Sequence, residues 1–371
     1  MNIELIKQAF ANNFAQHEEL GASISIWKAG ESVLELGAGF ISKDKSQAWD
    51  TGVCVPVYSA TKTPAAITML WLLEQHELTP EAQVSSVWSQ FPNKEASFAQ
   101  MLSHQAGLSA LDTVAKIDDY EAVIDAIEAQ QPKWSLGSGH GYHPRTYGFL
   151  LDEAARQLCG ERIGAIWNRE IAAPLGLDFY IGIPQGMTAD ELATRVAPLY
   201  PGKAKASLFQ DDPFYSKLSD LQSLTGLSFA SPRGINSVLE MNQPKVWELA
   251  LPSMGGIGTA CALAKFYQAT LGFQKQEVLS EQVRTWLTQS QSLGRDQVLQ
   301  IETHFGMGCM MNKGLQHPPF GKSQSAYGHP GAGGSVAYAD PENQLSFAYT
   351  MNQMTLSVLP NEKSQSIMTY L

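Results

Sequence analysis

The sequence predicts a two-lobed α+β fold: an antiparallel β-sheet flanked by terminal helices, with a mostly helical insertion. Hairpin signals stand near both ends of the chain, so one sheet can be assembled from both termini. The stretch between them shows helical spacing instead. The 371 residues are enough for two lobes sharing one or two large cores.

Ile3, Ile6, Phe10 and Phe14 recur at helical spacing and predict an opening amphipathic helix. Residues 22–28 and 32–38 are strand-like, and Ala29-Gly30-Glu31 between them predicts a hairpin. Residues 64–74 are apolar on nearly every side, as a buried helix requires. Further helices are expected over 118–129, 146–158 and 162–171. Residues 200–250 are rich in Pro, Gly, Ser and Asp and predict a long loop over a site. Residues 334–339 and 345–352 flank Asp340-Pro341-Glu342-Asn343, the second hairpin signal. A short helix over 363–371 ends the chain. The expected division is 1–75 with 251–371 for the sheet lobe and 76–250 for the helical lobe.

Composition narrows the function. Hydrophobic residues make up 44% and charged residues 16%, a globular balance. The formal net charge is -11 with no contiguous basic stripe, which excludes nucleic acid as a partner. Cys54, Cys159, Cys261 and Cys309 lie far apart and read as free buried thiols of a reducing compartment. Glu4, Lys7, Asn12 and Asn13 interrupt any signal-peptide core, and the apolar run 64–73 is too short to span a bilayer. The expectation is a cytoplasmic protein with no membrane partner. Its oligomeric state stays open, a homodimer included.

The chemistry is sought at Ser59-Ala60-Thr61-Lys62, just before the apolar helix. If that helix begins near Ser59, Lys62 lies one turn on, on the same face, within reach of the hydroxyl. A serine hydroxyl needs a base to act as a nucleophile at neutral pH. A lysine becomes that base when burial strips its solvent. A helix cap followed by a solvated lysine has the same spacing. However, the apolar surroundings fit a solvated lysine poorly.

Four more segments follow in order: 101–108 (MLSHQAGL), 139–144 (GHGYHP), 255–260 (GGIGTA) and 328–334 (GHPGAGG). Together with Ser59-Ala60-Thr61-Lys62 they resemble the serine β-lactamase-like family. That family includes class C β-lactamases, D-alanyl-D-alanine peptidases and family VIII carboxylesterases. The resemblance implies the β-lactamase/transpeptidase-like fold and an acyl-enzyme at Ser59. It implies that Tyr142 shuttles the proton between Ser59 and the leaving group. A phenol does so only if nearby cations lower its pKa, and Lys62 is the expected cation. It further implies an oxyanion hole from the N–H groups of Ser59 and Ala332, in a bare strand with Gly331 and Gly333. His329 and Pro330 stand where relatives carry the Lys and Thr of a Lys-Thr-Gly strand. A mostly neutral histidine and a proline argue against holding a substrate carboxylate. Pro144 replaces the asparagine of the usual Tyr-x-Asn triplet, and His143 is the neighbour that could compensate or cap the next helix.

Other classes lack their markers. No Gly-x-Ser-x-Gly elbow is present, Gly256-x-Gly258 is not a dinucleotide fingerprint, and Ser219-Asp220-Leu221 lacks the asparagine of a Ser-Asp-Asn element. His140 and His143 have no further ligand motif, so no metal and no cofactor are expected. Trp71, Trp88 and Trp134 read as core or pocket wall. The favoured function is a carboxylesterase on short acyl esters, acting on a small-molecule ester or amide. A β-lactamase or D-amino-acid peptidase is the alternative, and a catalytically weak binding or assembly protein on the same fold is a second. Shared proton transfer between Lys62 and Tyr142 predicts a bell-shaped pH profile.

Overall fold

A computed structural model of the chain describes residues 1–203 and 213–371. Helix α1 (Ile3–Gln16) opens with the Asn2 side chain accepting the Leu5 N–H. The strands, in chain order, are β1 (Gly21–Lys28), β2 (Glu31–Gly39), β3 (Val55–Pro56), β4 (Phe179–Ile181), β5 (Gly256–Gly258), β6 (Ser292–Arg295), β7 (Glu302–Phe305), β8 (Met310–Met311), β9 (Tyr327–Pro330), β10 (Val336–Asp340) and β11 (Leu345–Met351). Eight of them form one antiparallel sheet in the order β2-β1-β11-β10-β9-β8-β7-β6. Both expected hairpins are present, and β1 pairs with β11, so the two ends of the chain meet within one sheet.

Helix Ala260–Thr270 covers β1, β10 and β11, and α1 packs beside the terminal helix Glu362–Met368. A buried ion pair of Lys363 with Glu19, at 3.1 Å, ties that terminal helix to the sheet, and the Tyr349 hydroxyl also donates to Glu19. The apolar segment is helix α2 (Lys62–Gln75), buried on nearly every side. It runs through the core between the sheet side and helix Thr146–Cys159.

The structure departs from the expectations in several places. Strand β9 carries His329 and Pro330, as the resemblance implied, whereas β6 to β8 were not anticipated. They are short, and residues such as Gly294 and His304 hide any period-2 alternation. A second, three-stranded sheet, β3-β5-β4, was not anticipated either. The stretch expected as one helix over 162–171 starts as α-helix at Ile163–Ile166 and then widens into π-type turns over Trp167–Ala172. Within the expected loop 200–250, residues 204–212 lie outside the described residues. Short helices at Pro213–Leu218, Leu224–Ala230 and Pro244–Trp247 occupy much of the remainder. All four cysteines are free, but only Cys54 and Cys309 are fully buried. No helix among the described residues is long and apolar enough to cross a membrane.

Candidate active site

The small sheet delivers the serine. Val55 and Pro56 pair with Gly258 and Ile257, and the Val57 N–H donates to the Gly256 carbonyl at 2.9 Å. Tyr58 then turns the chain with φ 49° and ψ -131°, a left-handed conformation that costs a bulky residue about 1–3 kcal/mol. Ser59–Thr61 forms one tight 3-10 turn, and Lys62 is the first residue of α2. The expected helix start at Ser59 is thus displaced to Lys62. The turn is locked by Thr61, whose hydroxyl donates to the Tyr58 carbonyl at 2.5 Å and accepts the Gly256 N–H at 2.8 Å.

Lys62 is fully buried. Its Nζ stands 3.2 Å from Ser59 Oγ, 3.0 Å from the Pro144 carbonyl and 2.8 Å from the Ser253 carbonyl. Burial pushes the amine well below its ordinary pKa, and no carboxylate opposes that shift. A neutral amine has two N–H donors and one lone pair. In the neutral form, which burial favours, the two carbonyls take the donors and the lone pair faces the Ser59 hydroxyl. Pro144, which has no side-chain donor or acceptor, thus supplies polar support through its main chain. Ser253 is a contact the sequence did not signal.

Tyr142 is also buried, and Lys62 Nζ lies 4.7 Å from its ring centroid. Burial pushes its phenol up, the contact with the Ser59 hydroxyl acts the other way, and the buried Asp296 carboxylate adds to the rise. This corrects the expected lowering. The burial that disfavours the charged amine of Lys62 also disfavours a phenolate at Tyr142. His143 neither supports Lys62 nor caps a helix. Its Nδ1–H donates to the Gly141 carbonyl at 2.7 Å and its Nε2 accepts the Leu108 N–H at 3.0 Å. His104 accepts the His143 N–H at 3.2 Å and packs edge-on to Tyr142. Burial holds His143 down to about 3, His140 down to about 4, and His104 well below its usual range.

The glycine strand meets the serine turn from the other side. A Cβ on Gly331 would sit 2.0 Å from the Val57 carbonyl oxygen, so only glycine allows this approach. The Gly331 N–H donates to Ser335 at 2.6 Å, Gly333 to Ser357 at 2.8 Å and Gly334 to Gly331 at 3.2 Å. No such backbone bond is made by the amides of Ala332 or Ser59 among the described residues. Ser59, Tyr142, His329, Pro330 and Ala332 line a narrow cavity of about 30 Å³, closed by the apolar side chains of Phe229, Leu299, Met310, Val358 and Leu359. Those five apolar residues were not read from the sequence, because their hydrophobicity looks the same in a core as in a pocket. No charged side chain among the described residues lines the cavity.

His329 Nδ1 lies 2.7 Å from the Pro330 carbonyl, an acceptor only, so Nδ1 carries the proton. Its Nε2 is a buried acceptor without a hydrogen-bond partner among the described residues. Burial and the nearby Lys62 push the ring down to about 3. Trp88 and Trp134 are buried and Trp71 is partly so. No group of three or more His, Cys, Asp or Glu among the described residues is placed to hold a metal ion.

The chain is similar to the esterase/beta-lactamase LipL of Mycobacterium tuberculosis, 26% identical over 360 residues, covering 94% of this chain and 81% of LipL. It superposes on a penicillin-binding protein homolog from Caulobacter crescentus with a TM-score of 0.83 and 29% identity, covering 98% of this chain and 95% of that one. It superposes on a family VIII carboxylesterase with a TM-score of 0.84 and 26% identity, with the same coverage of 98% and 95%. The Beta-lactamase family model matches residues 6–367. The chain therefore belongs to the Beta-lactamase family and is a serine hydrolase with the β-lactamase/transpeptidase-like fold.

Proposed function

We propose that this hydrolase is a carboxylesterase that cleaves short, uncharged acyl esters through an acyl-enzyme at Ser59. The observation that carries this reading is the cavity wall at His329. A β-lactam or peptide carboxylate needs a cation where relatives carry lysine. Here the ring is neutral, its Nε2 is an acceptor, and no charged side chain among the described residues lines the cavity. An anion would be desolvated there without compensation. The narrow apolar lining suits a short acyl chain. The free thiols fit a cytoplasmic setting, in which small esters or amides are the substrates.

The Lys62 lone pair accepts the Ser59 proton as Oγ attacks the ester carbonyl. The Ser59 and Ala332 amides receive the oxyanion. The proton then passes to the leaving alcohol, directly from Lys62 or through the neutral phenol of Tyr142. Water enters, gives a proton to the same amine and releases the acid, restoring Ser59.

The test is intact-protein mass spectrometry after brief exposure to p-nitrophenyl acetate and butyrate, a chromogenic cephalosporin and a D-alanyl peptide. Acetyl or butyryl adducts mapped to Ser59, with faster turnover of the esters, are expected. Preferential acylation by the cephalosporin or the peptide would reject the esterase reading in favour of the alternative.

The pH profile follows from the two neutral groups. Acidification protonates the Lys62 amine and removes the base, so kcat/KM falls on the acid side. His140, His143 and His329 titrate at about 4, 3 and 3, too low to cause a loss near neutrality. Tyr142 ionises above its ordinary range, so the alkaline arm of the expected bell is displaced upward. Steady-state rates should rise with pH on a limb lying below the ordinary lysine value of about 10.4, with no alkaline fall up to about pH 10, the ordinary phenol value. A fall between about pH 8 and 10 would contradict a neutral phenol.

A further inference from the structure

Asp296 sits in the turn between β6 and β7 and is 0% exposed. Both of its carboxylate oxygens accept the Tyr142 N–H, at 3.0 Å each, across 154 residues of chain. Oδ1 also accepts the N–H groups of Val298 and Leu299 at 2.8 Å. Oδ2 accepts the Thr303 hydroxyl at 3.3 Å. Because that hydroxyl donates to Asp296, it accepts from His140 Nε2–H at 2.7 Å. The Gln297 N–H returns to the His140 carbonyl at 3.1 Å. The segment carrying the tyrosine is thus bound to one edge hairpin by a closed hydrogen-bond network.

The local bonds to Val298 and Leu299 form an ordinary turn, which an aspartate makes on any surface. Such a turn needs neither full burial nor a partner in the tyrosine segment. A buried carboxylate without a cation is costly, and it persists where several donors compensate it. Burial pushes Asp296 up to about 6, so it is ionised at neutral pH and acts only as an acceptor. The same turn carries Leu299, which lines the cavity beside Tyr142.

We propose that Asp296 is a positioning residue of the esterase, holding the Tyr142 main chain so that the phenol stays in register with Ser59 and Lys62. This rests on the functional reading above. It assigns the β6–β7 hairpin, remote in sequence from every catalytic motif, to the proton-transfer geometry. Among the described residues Asp296 alone accepts the Tyr142 N–H, so loosening it lets the phenol drift.

The test is a double-mutant cycle on the full chain with p-nitrophenyl butyrate, using Asp296→Asn, Tyr142→Phe and the pair. Asn keeps the shape but turns an N–H₂ toward the Tyr142 N–H. A displacement near 1 Å costs on the order of 100-fold, so kcat should fall roughly 10- to 100-fold in Asp296→Asn with KM within about threefold. In the Tyr142→Phe background the same change should add less than about threefold, because the group being positioned is gone. A folded Asp296→Asn with wild-type kcat, or an equal loss in both backgrounds, overturns the proposal. Should Asp296→Asn fail to fold, Thr303→Val takes its place. It is expected to lower kcat at least about threefold, again only while Tyr142 is present, and an equal loss or no loss in both backgrounds overturns the proposal. Ser59→Ala, assayed alongside, separates the two failures. An active Ser59→Ala overturns the reading on which the proposal rests, and the proposal with it. An inactive Ser59→Ala beside a fully active Asp296→Asn overturns the role of Asp296 alone.

Discussion

Ser59→Ala is expected to reduce kcat on p-nitrophenyl butyrate by about 10⁴-fold or more, the range seen when a hydrolase loses its nucleophile. The change removes one oxygen and leaves the surrounding machinery intact. The Ser59 main chain still offers its amide, Lys62 keeps its two carbonyl partners, and the cavity walls are untouched. Stability should therefore change by less than about 1 kcal/mol, as for a small change at a half-buried site. The measurements are steady-state turnover, thermal melting and mass spectrometry for an acyl adduct. A folded variant that keeps wild-type turnover would remove Ser59 from the mechanism.

Lys62→Met separates the base from the hole it fills. Methionine has a similar length and no charge. General-base catalysis contributes about 10²- to 10⁴-fold, so kcat should fall within that range. KM should stay within a few fold, because Lys62 stands behind Ser59 and does not line the cavity. Two opposing terms act on stability. The Pro144 and Ser253 carbonyls lose their donor, at about 1–3 kcal/mol each. Against this, the folded chain no longer has to bury an amine. The rate change should exceed what the melting shift would explain. A folded variant with kcat within about tenfold of wild type would show that another group deprotonates Ser59.

The sequence made much of this legible, for identifiable reasons. The Ser59 and Lys62 pairing follows from helical spacing, which is local and survives even though the helix starts three residues late. The terminal hairpins follow from turn chemistry, also local. The three short strands β6 to β8 escaped because each is too brief for its period to show, whereas β9 was legible only through its glycine-rich motif. Ser253 and Asp296 escaped for a different reason. Their roles are defined by residues 191 and 154 positions away, and neither type is unusual where it stands. The phenol's direction of shift was misread because burial and charge act oppositely on it. Only coordinates show that burial is the larger effect at Tyr142.

The acceptors that hold Lys62 are peptide oxygens, and every amino acid carries one. Drift at positions 144 and 253 can therefore change the side chains freely without deleting the clamp on the amine, provided the backbone path is kept. Proline can stand where relatives carry an asparagine two residues after Tyr142, and the Lys62 amine stays anchored. Substrate preference at the rim can then diverge among descendants while the proton-transfer core is inherited unchanged.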